Sequence, residues 1–446
     1  MSQQAQKESI PPINTLPHDI LSSVFLSLFQ HRGQRTILPF QVDLSHVCSY
    51  WRWVALSTPR LWSSITLFSE QSLPYVQEWL TRSRNVPLRV LLDLHDADCR
   101  CLVNEAWLDH ALAPFVSHIH RFRYLSILIH HWPNDSHPVL KIFEDTAAPL
   151  LENLYICASF DGRHGTVMGQ DFRFPAMLKD GSPKLRSVEL RLPRCIPPLS
   201  NVTELFLDIR RGPGYNVNTL AAALQTSRNL ITLSLRGDFE IGDRIPSHVV
   251  NQPRLTFSNL RYLDIEAYGV AGIYFILAFA APNLESLRFR MLFDENFGSV
   301  ISQFHRRHGN IFPRLKYFTL FSLTLSHVHS IRKAFPLPPH ILYMSSKIRG
   351  ESECIEDLCN IPGLKVVAFQ QRLGSSVNEG LIIDLYTHLK KGSTVEEVLF
   401  DAETLSRYSS AGIERLRGLV KVDEINVQTF PDYWFDTRPM ESLDIF

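Results

Sequence analysis

SNVTELFLDI, from Ser200 to Ile209, sets Val202, Leu205 and Leu207 in a spacing that recurs along the chain. Two residues separate the first apolar position from the second, and one separates the second from the third. The phrase appears as IHRFRY from Ile119, LENLYI from Leu151, LRSVEL from Leu185 and VTELFL from Val202. It continues as LITLSL from Leu230, LRYLDI from Leu260, LESLRF from Leu284 and LKYFTL from Leu315. LKVVAF from Leu364, VEEVLF from Val395 and VDEINV from Val422 complete eleven copies. The bare phrase carries little weight in a chain rich in Leu, Ile, Val and Phe. Its context carries more: nine of the eleven copies have Pro or Ser two residues upstream (Ser117, Pro149, Pro183, Ser200, Ser258, Pro282, Pro313, Pro362 and Ser393). Copies begin about 30 residues apart on average, within reach of known repeat periods.

One short strand per copy satisfies this pattern, with the three apolar residues inward and the remainder returning as helix or loop. Stacked copies make a parallel sheet, so the chain reads as α/β. An ordinary α/β domain with unrelated short strands is the alternative. LPYVQEWLTRSRNVPLRVLLDLH, from Leu73 to His95, reads as helix, turn and strand over residues 69–115, a linker or a degenerate first repeat. Residues 116–428 hold the copies. The aromatic tail over 429–446, with Tyr433, Trp434, Phe435 and Phe446, suits the cap that a stacked core needs at its open end.

Residues alternating with the apolar ones face the other way. Phe206, Asp208, Arg236, Tyr262, Asp264, Glu266, Arg288 and Arg290 then form neighbouring rows of alternating sign. They are either a solvated face that keeps the sheet soluble or a surface that recognises a target protein, since Arg and aromatic side chains anchor interfaces.

The first residues, 1–10, are polar and read as disordered. Pro17 and Asp19 suit the first turn of a helix, behind which Ile20, Leu21, Val24, Phe25, Leu28 and Phe29 repeat at helical spacing. FQVDLSHVCSYWRWVALS, from Phe40, reads as a second helix with a stripe of Leu44, Val47, Cys48, Trp51 and Val54. Pro59 ends it or opens the short third helix LWSSI, and Ser63–Phe68 alternates like a strand. Three short helices cannot bury so many large side chains alone, so the surface asks for a partner.

LPHDIL, then VF, VCSYWRWVA and PRLW, in this order over residues 11–68, resemble an F-box of the kind found in fungal multigene families. The phrases over 115–430 resemble the irregular leucine-rich repeats of F-box proteins, without the Asn usual after the last apolar position and with gaps from 17 to 49 residues. The resemblance implies a three-helix F-box followed by a leucine-rich-repeat-like solenoid. It implies docking to the Skp-type adaptor of a cullin–RING ubiquitin ligase through Leu16, Pro17, Ile20, Leu21, Val47, Cys48, Trp51 and Val54. A helical cap on a larger domain is the bland alternative.

Lys plus Arg and Asp plus Glu both number 45. No global field recruits nucleic acid or an anionic membrane, and no apolar run approaches the roughly 20 residues of a membrane span. Seven scattered cysteines do not form a disulfide framework, which points to a reducing compartment, cytoplasm or nucleus. HDADCRC, His95–Cys101, has a poor zinc spacing, and His130, His131 and His137 read as surface. Gly162, Gly165 and Gly169 lack the Lys-Ser/Thr of a phosphate cradle, and no catalytic signature appears. The expectation is an interaction protein without metal, cofactor or enzymatic activity. A scaffold acting outside a ligase, or a hydrolase on a mixed fold, are the competing readings.

Overall fold

The structure is a computed structural model. It describes residues 12–31, 40–68, 72–94, 105–130, 138–159, 177–191, 195–209, 215–237, 239–240, 255–268, 278–292, 312–321, 340–345, 352–371 and 379–425. The expected disordered start, the His95–Cys101 cluster, His131 and His137, the Gly162–Gly169 segment and the aromatic cap lie outside the described residues. The chain is α/β with a large parallel sheet, and its described residues fall into two compact units, 12–158 with 177–185, and 186–425.

The first unit opens with a 3-10 turn, Pro12–Thr15, and helices α1 (His18–His31), α2 (Phe40–Val47) and α3 (Ser49–Ser57). A 3-10 turn at Pro59–Trp62 leads into β1 (Ser64–Leu67), α4 (Leu73–Arg82) and β2 (Leu88–Leu94). Then come α5 (Glu105–His118), β3 (Phe122–His130) and β4 (Asn153–Ser159). β1 and β3 flank β2 in parallel, and Ile65, Val90 and Leu125 form one buried rung. Arg121 is buried; it donates to the carbonyl of Leu80 at 2.8 Å and to Ser83 Oγ at 3.0 Å, where a cation meets the negative end of α4.

The second unit contains β5 (Ser187–Arg191), β6 (Glu204–Ile209), β7 (Thr232–Gly237), β8 (Tyr262–Tyr268) and β9 (Ser286–Leu292). β10 (Tyr317–Phe321), β11 (His340–Ser345), β12 (Val366–Gln371), β13 (Glu397–Phe400) and β14 (Lys421–Glu424) follow. Each pairs in parallel with the next. Val188, Leu205, Leu233, Leu263, Leu287, Phe318, Ile341, Val367, Val398 and Val422 stand side by side in register, and all are buried. The expected ladder of middle apolar residues is therefore present.

The upstream Pro or Ser has a geometric cause. The amide of the first apolar residue bonds to the carbonyl three residues back, as in Leu284 to Ala281 at 3.1 Å, Leu315 to Phe312 at 3.2 Å and Leu364 to Ile361 at 3.2 Å. Pro282, Pro313 and Pro362 occupy the second position of these turns, where a φ near −60° suits proline. The strands are stitched where they begin. The Ile231 carbonyl accepts from the amides of Arg261 and Tyr262 at 2.9 and 3.0 Å; the Arg261 carbonyl accepts from Glu285 and Ser286, both at 2.9 Å.

Four expectations are corrected. The second helix is two helices, because Cys48 is extended (φ −159°, ψ 174°) and its Sγ accepts the Trp51 amide at 3.4 Å as an N-cap. In β3 the register slips beside Arg89, so Tyr124 turns off the core side and Leu125 replaces it. The widest gap between phrases hides β11, whose copy begins on Pro338 instead of a branched aliphatic residue. The last copy is three residues out of frame, since Val422 and not Ile425 partners Val398.

Candidate functional site

Two surfaces contain the residues singled out above. On the first, the residues before α1 are held against α3. Tyr50 Oη donates to the Leu16 carbonyl at 2.6 Å, and Trp51 Nε1 donates to Asn14 Oδ1 at 2.7 Å. His18 Nε2 and Ser57 Oγ lie 2.8 Å apart, and the His18 ring meets Trp53 edge-on with centroids 4.8 Å apart. Tyr50 stacks on Trp53 at 6.0 Å. These contacts fix Leu16 half-buried and Pro17 exposed at the head of α1. The helix itself starts at His18, one residue beyond the proline.

The wide apolar face of α1 divides in two. Leu21 and Phe25 are fully buried, and Phe25 packs on Trp51 with centroids 5.0 Å apart. Ile20, Val24 and Leu28 follow one another at four-residue intervals and stay exposed, Ile20 at 47%. Val47 ends α2 at 58% exposure, and Trp53 on α3 stands at 57%. Of the eight sequence-derived contacts, Pro17, Ile20 and Val47 have open surface, while Leu16, Cys48 and Trp51 are half-buried. Leu21 and Val54 are corrected: both are fully buried among the helices and offer a partner no surface. Val24, Leu28, Trp53 and Leu56 are exposed apolar residues outside that set of eight. Helical spacing alone could not divide one apolar arc into an inner and an outer half; the paired aromatics of YWRW were the available signal for Trp53.

The second surface is the side of the second unit's sheet opposite the buried ladder. Arg191, Asp208, Arg236, Glu266 and Arg290 are consecutive register partners, so the signs alternate strand by strand. A parallel row runs Glu189, Phe206, Ser234, Asp264 and Arg288. It is not freely solvated: Asp208 and Arg288 are buried, and Phe206, Tyr262 and Glu266 are half-buried. The Arg290 side chain lies outside what the structure describes. Asp264 Oδ2 accepts from Ser234 Oγ at 2.9 Å and from Arg236 Nη2 at 2.7 Å. Arg236 lies over Phe206 at 4.9 Å, with Arg191 over the same ring at 5.8 Å. Burial alone would raise the Asp264 carboxyl, but Arg236 and Arg288, with the bonds from Arg236 and Ser234, hold it below the usual carboxylate value.

Burial pushes the Cys195 and Cys359 thiols up to about 12, which leaves them unreactive. Among the described residues, no group of three His, Cys, Asp or Glu side chains could hold a metal ion, and no helix is long and apolar enough to cross a membrane. No family model matches the chain, and no curated protein matches it significantly.

Proposed function

We propose that the helical N-terminus is an F-box that docks a Skp-type adaptor, and that the chain is a substrate receptor of a cullin–RING ubiquitin ligase. The supporting observation is the exposed stripe of Ile20, Val24 and Leu28 beside Val47 and Trp53, headed by Pro17. Full exposure of such a side chain costs about 1.5–3 kcal/mol, and with these roughly half exposed a partner surface removes about half of that from each. In this reading the strands of the second unit belong to a leucine-rich-repeat-like solenoid whose charged side holds the target protein. Ubiquitin transfer takes place on other subunits, in the cytoplasm or nucleus, and the chain itself carries no catalytic group. A scaffold that uses the same face outside a ligase is the alternative.

The test is a pull-down of purified Skp-type adaptor and cullin with the full chain, the double variant Leu16→Ala, Pro17→Ala, and the double variant Ile20→Asp, Trp53→Ala. Adaptor and cullin captured by the parent and lost in both variants, with unchanged circular dichroism, is the expected result. Adaptor without cullin favours the scaffold. Capture unchanged in both variants overturns the F-box reading.

A further inference from the structure

We infer that β14 is an association edge for a second copy of this chain, the two strands pairing antiparallel about a twofold axis at Val422. Among the described residues, β14 ends the strand order of the sheet and has one neighbour, β13. Two bonds define its inner side: the Lys421 amide donates to the Glu396 carbonyl at 3.1 Å, and the Ile425 amide donates to the Phe400 carbonyl at 2.9 Å. Successive residues of a strand turn their N–H and C=O to opposite sides, so those of Val422 and Glu424 point outward. The strand is open to a partner. Lys421, Asp423 and Glu424 are exposed, and Leu419 just before them is 40% exposed. Only the Val422 side chain is buried, at the end of the ladder.

Charges on an edge strand ordinarily deter pairing. Here their order favours one arrangement. A twofold axis sets each residue of one copy opposite a fixed residue of the other. With Val422 on the axis, Lys421 faces the second copy's Asp423 and Asp423 faces its Lys421, so both contacts join opposite charges. Leu419 faces Ile425. The two Val422 residues exchange both of their outward N–H···O bonds, as directly opposed antiparallel residues do, and their side chains carry the buried ladder across the axis. The alternatives are worse. An axis at Glu424 opposes two glutamates, and an in-register parallel pairing sets Lys421 beside Lys421 and Asp423 beside Asp423.

The bonds these groups make within one copy do not prevent the exchange. Lys421 Nζ lies 3.5 Å from Asp423 Oδ2 and also bonds Glu397 Oε1. Asp423 Oδ1 accepts the outward amide of Glu424 at 2.9 Å. All of these carboxylates and the ammonium stand at the surface, where such pairs are weak and change partners readily. Asp423 thus satisfies the outward Glu424 amide while the copy is alone, and releases it to the facing strand when the edges meet.

The experiment follows the mass of the full chain by sedimentation equilibrium over a range of concentrations. The parent should pass from monomer to dimer. Lys421→Asp makes acids face acids across the axis, and Asp423→Lys makes cations face cations. Each variant alone should raise the dissociation constant about tenfold or more, because the axis repeats every like-charge contact. Mixed in equal amounts, the two variants should dimerise with each other, since every Lys then meets an acid again. Unfolded chains cannot produce that recovery, so a folding defect in a single variant does not imitate it. Val422→Pro removes the outward amide, leaves both charges in place and should also give a monomer. A parent that stays monomeric, single variants that dimerise as the parent does, or a mixture no tighter than its components overturns the edge. None of these readings involves the adaptor, so they stand apart from the F-box test.

Discussion

Asn283 Nδ2 donates to the carbonyl oxygen of Ser258 at 2.7 Å, reaching from the turn before β9 to the turn before β8. Asn259 reaches the Arg228 carbonyl in the same way at 3.4 Å, and Asn229 reaches Ser200 at 2.9 Å. The three amides tie successive turns together. Removing one bond should cost about 0.5–1.5 kcal/mol, so Asn283→Ala and Asn229→Ala are each expected to lower the urea midpoint modestly. Asn283→Asp should cost more, because a carboxylate faces a carbonyl oxygen. Unchanged midpoints in all three variants would show that the turns hold without the side chains.

This ladder shows how the sequence misleads. No asparagine follows the last apolar position of a copy; one stands instead immediately before the first, in SNV, RNL, SNL and PNL. The strand positions were legible because burial imposes a period of two on Leu205, Leu207, Leu233 and Leu235. β11 was not, because the sequence has Pro338 where other copies begin on a branched aliphatic residue. The break at Cys48 was hidden because apolar spacing continues across it while the backbone does not. The alternation puts Asp208, Arg236, Asp264 and Glu266 on the side opposite the ladder, but the bonds that join Ser234, Arg236 and Asp264 depend on registers that no single phrase records.

The buried ladder itself gives a larger effect. Leu205, Leu233, Leu263 and Leu287 are register partners with almost no exposed surface. Leu→Ala at any one should cost about 2–5 kcal/mol, read as a shift in chemical-denaturation midpoint. A cost near zero at two of the four would contradict the ladder.

Asp264 makes stability depend on acid. Its folded-state pKa is depressed, so its contribution is fully present above the unfolded value of about 3.9 and is lost as pH falls through the lower folded value. His340 is lowered by burial, with Glu397 opposing; its contribution is present above about pH 6.5 and declines below. Thermal melts should therefore show two separate declines on acidification. Asp264→Asn should remove the lower one, and His340→Gln the upper. A melt profile in either variant that keeps both declines would reassign the groups.

The two halves of α1 should respond oppositely to the same substitution. Ile20 and Leu21 are adjacent in sequence, yet Ile20 is exposed and Leu21 fully buried, on a helix that packs against α3 and the Pro59–Trp62 turn. Leu21→Ser introduces a hydroxyl and a cavity into a packed interior, and a loss of about 2–5 kcal/mol in stability is expected. Ile20→Ser removes only surface and should leave stability within about 0.5 kcal/mol. Adaptor capture should follow a different order. Ile20→Ser should weaken it with the melting temperature unchanged, since a contact has been lost from a folded face. Leu21→Ser should weaken capture only to the extent that it unfolds the helices, so lowering the temperature should recover binding in that variant and not in Ile20→Ser. Recovery in both, or in neither, would mean that the exposed stripe is not the contact surface and that the helices act through their fold alone.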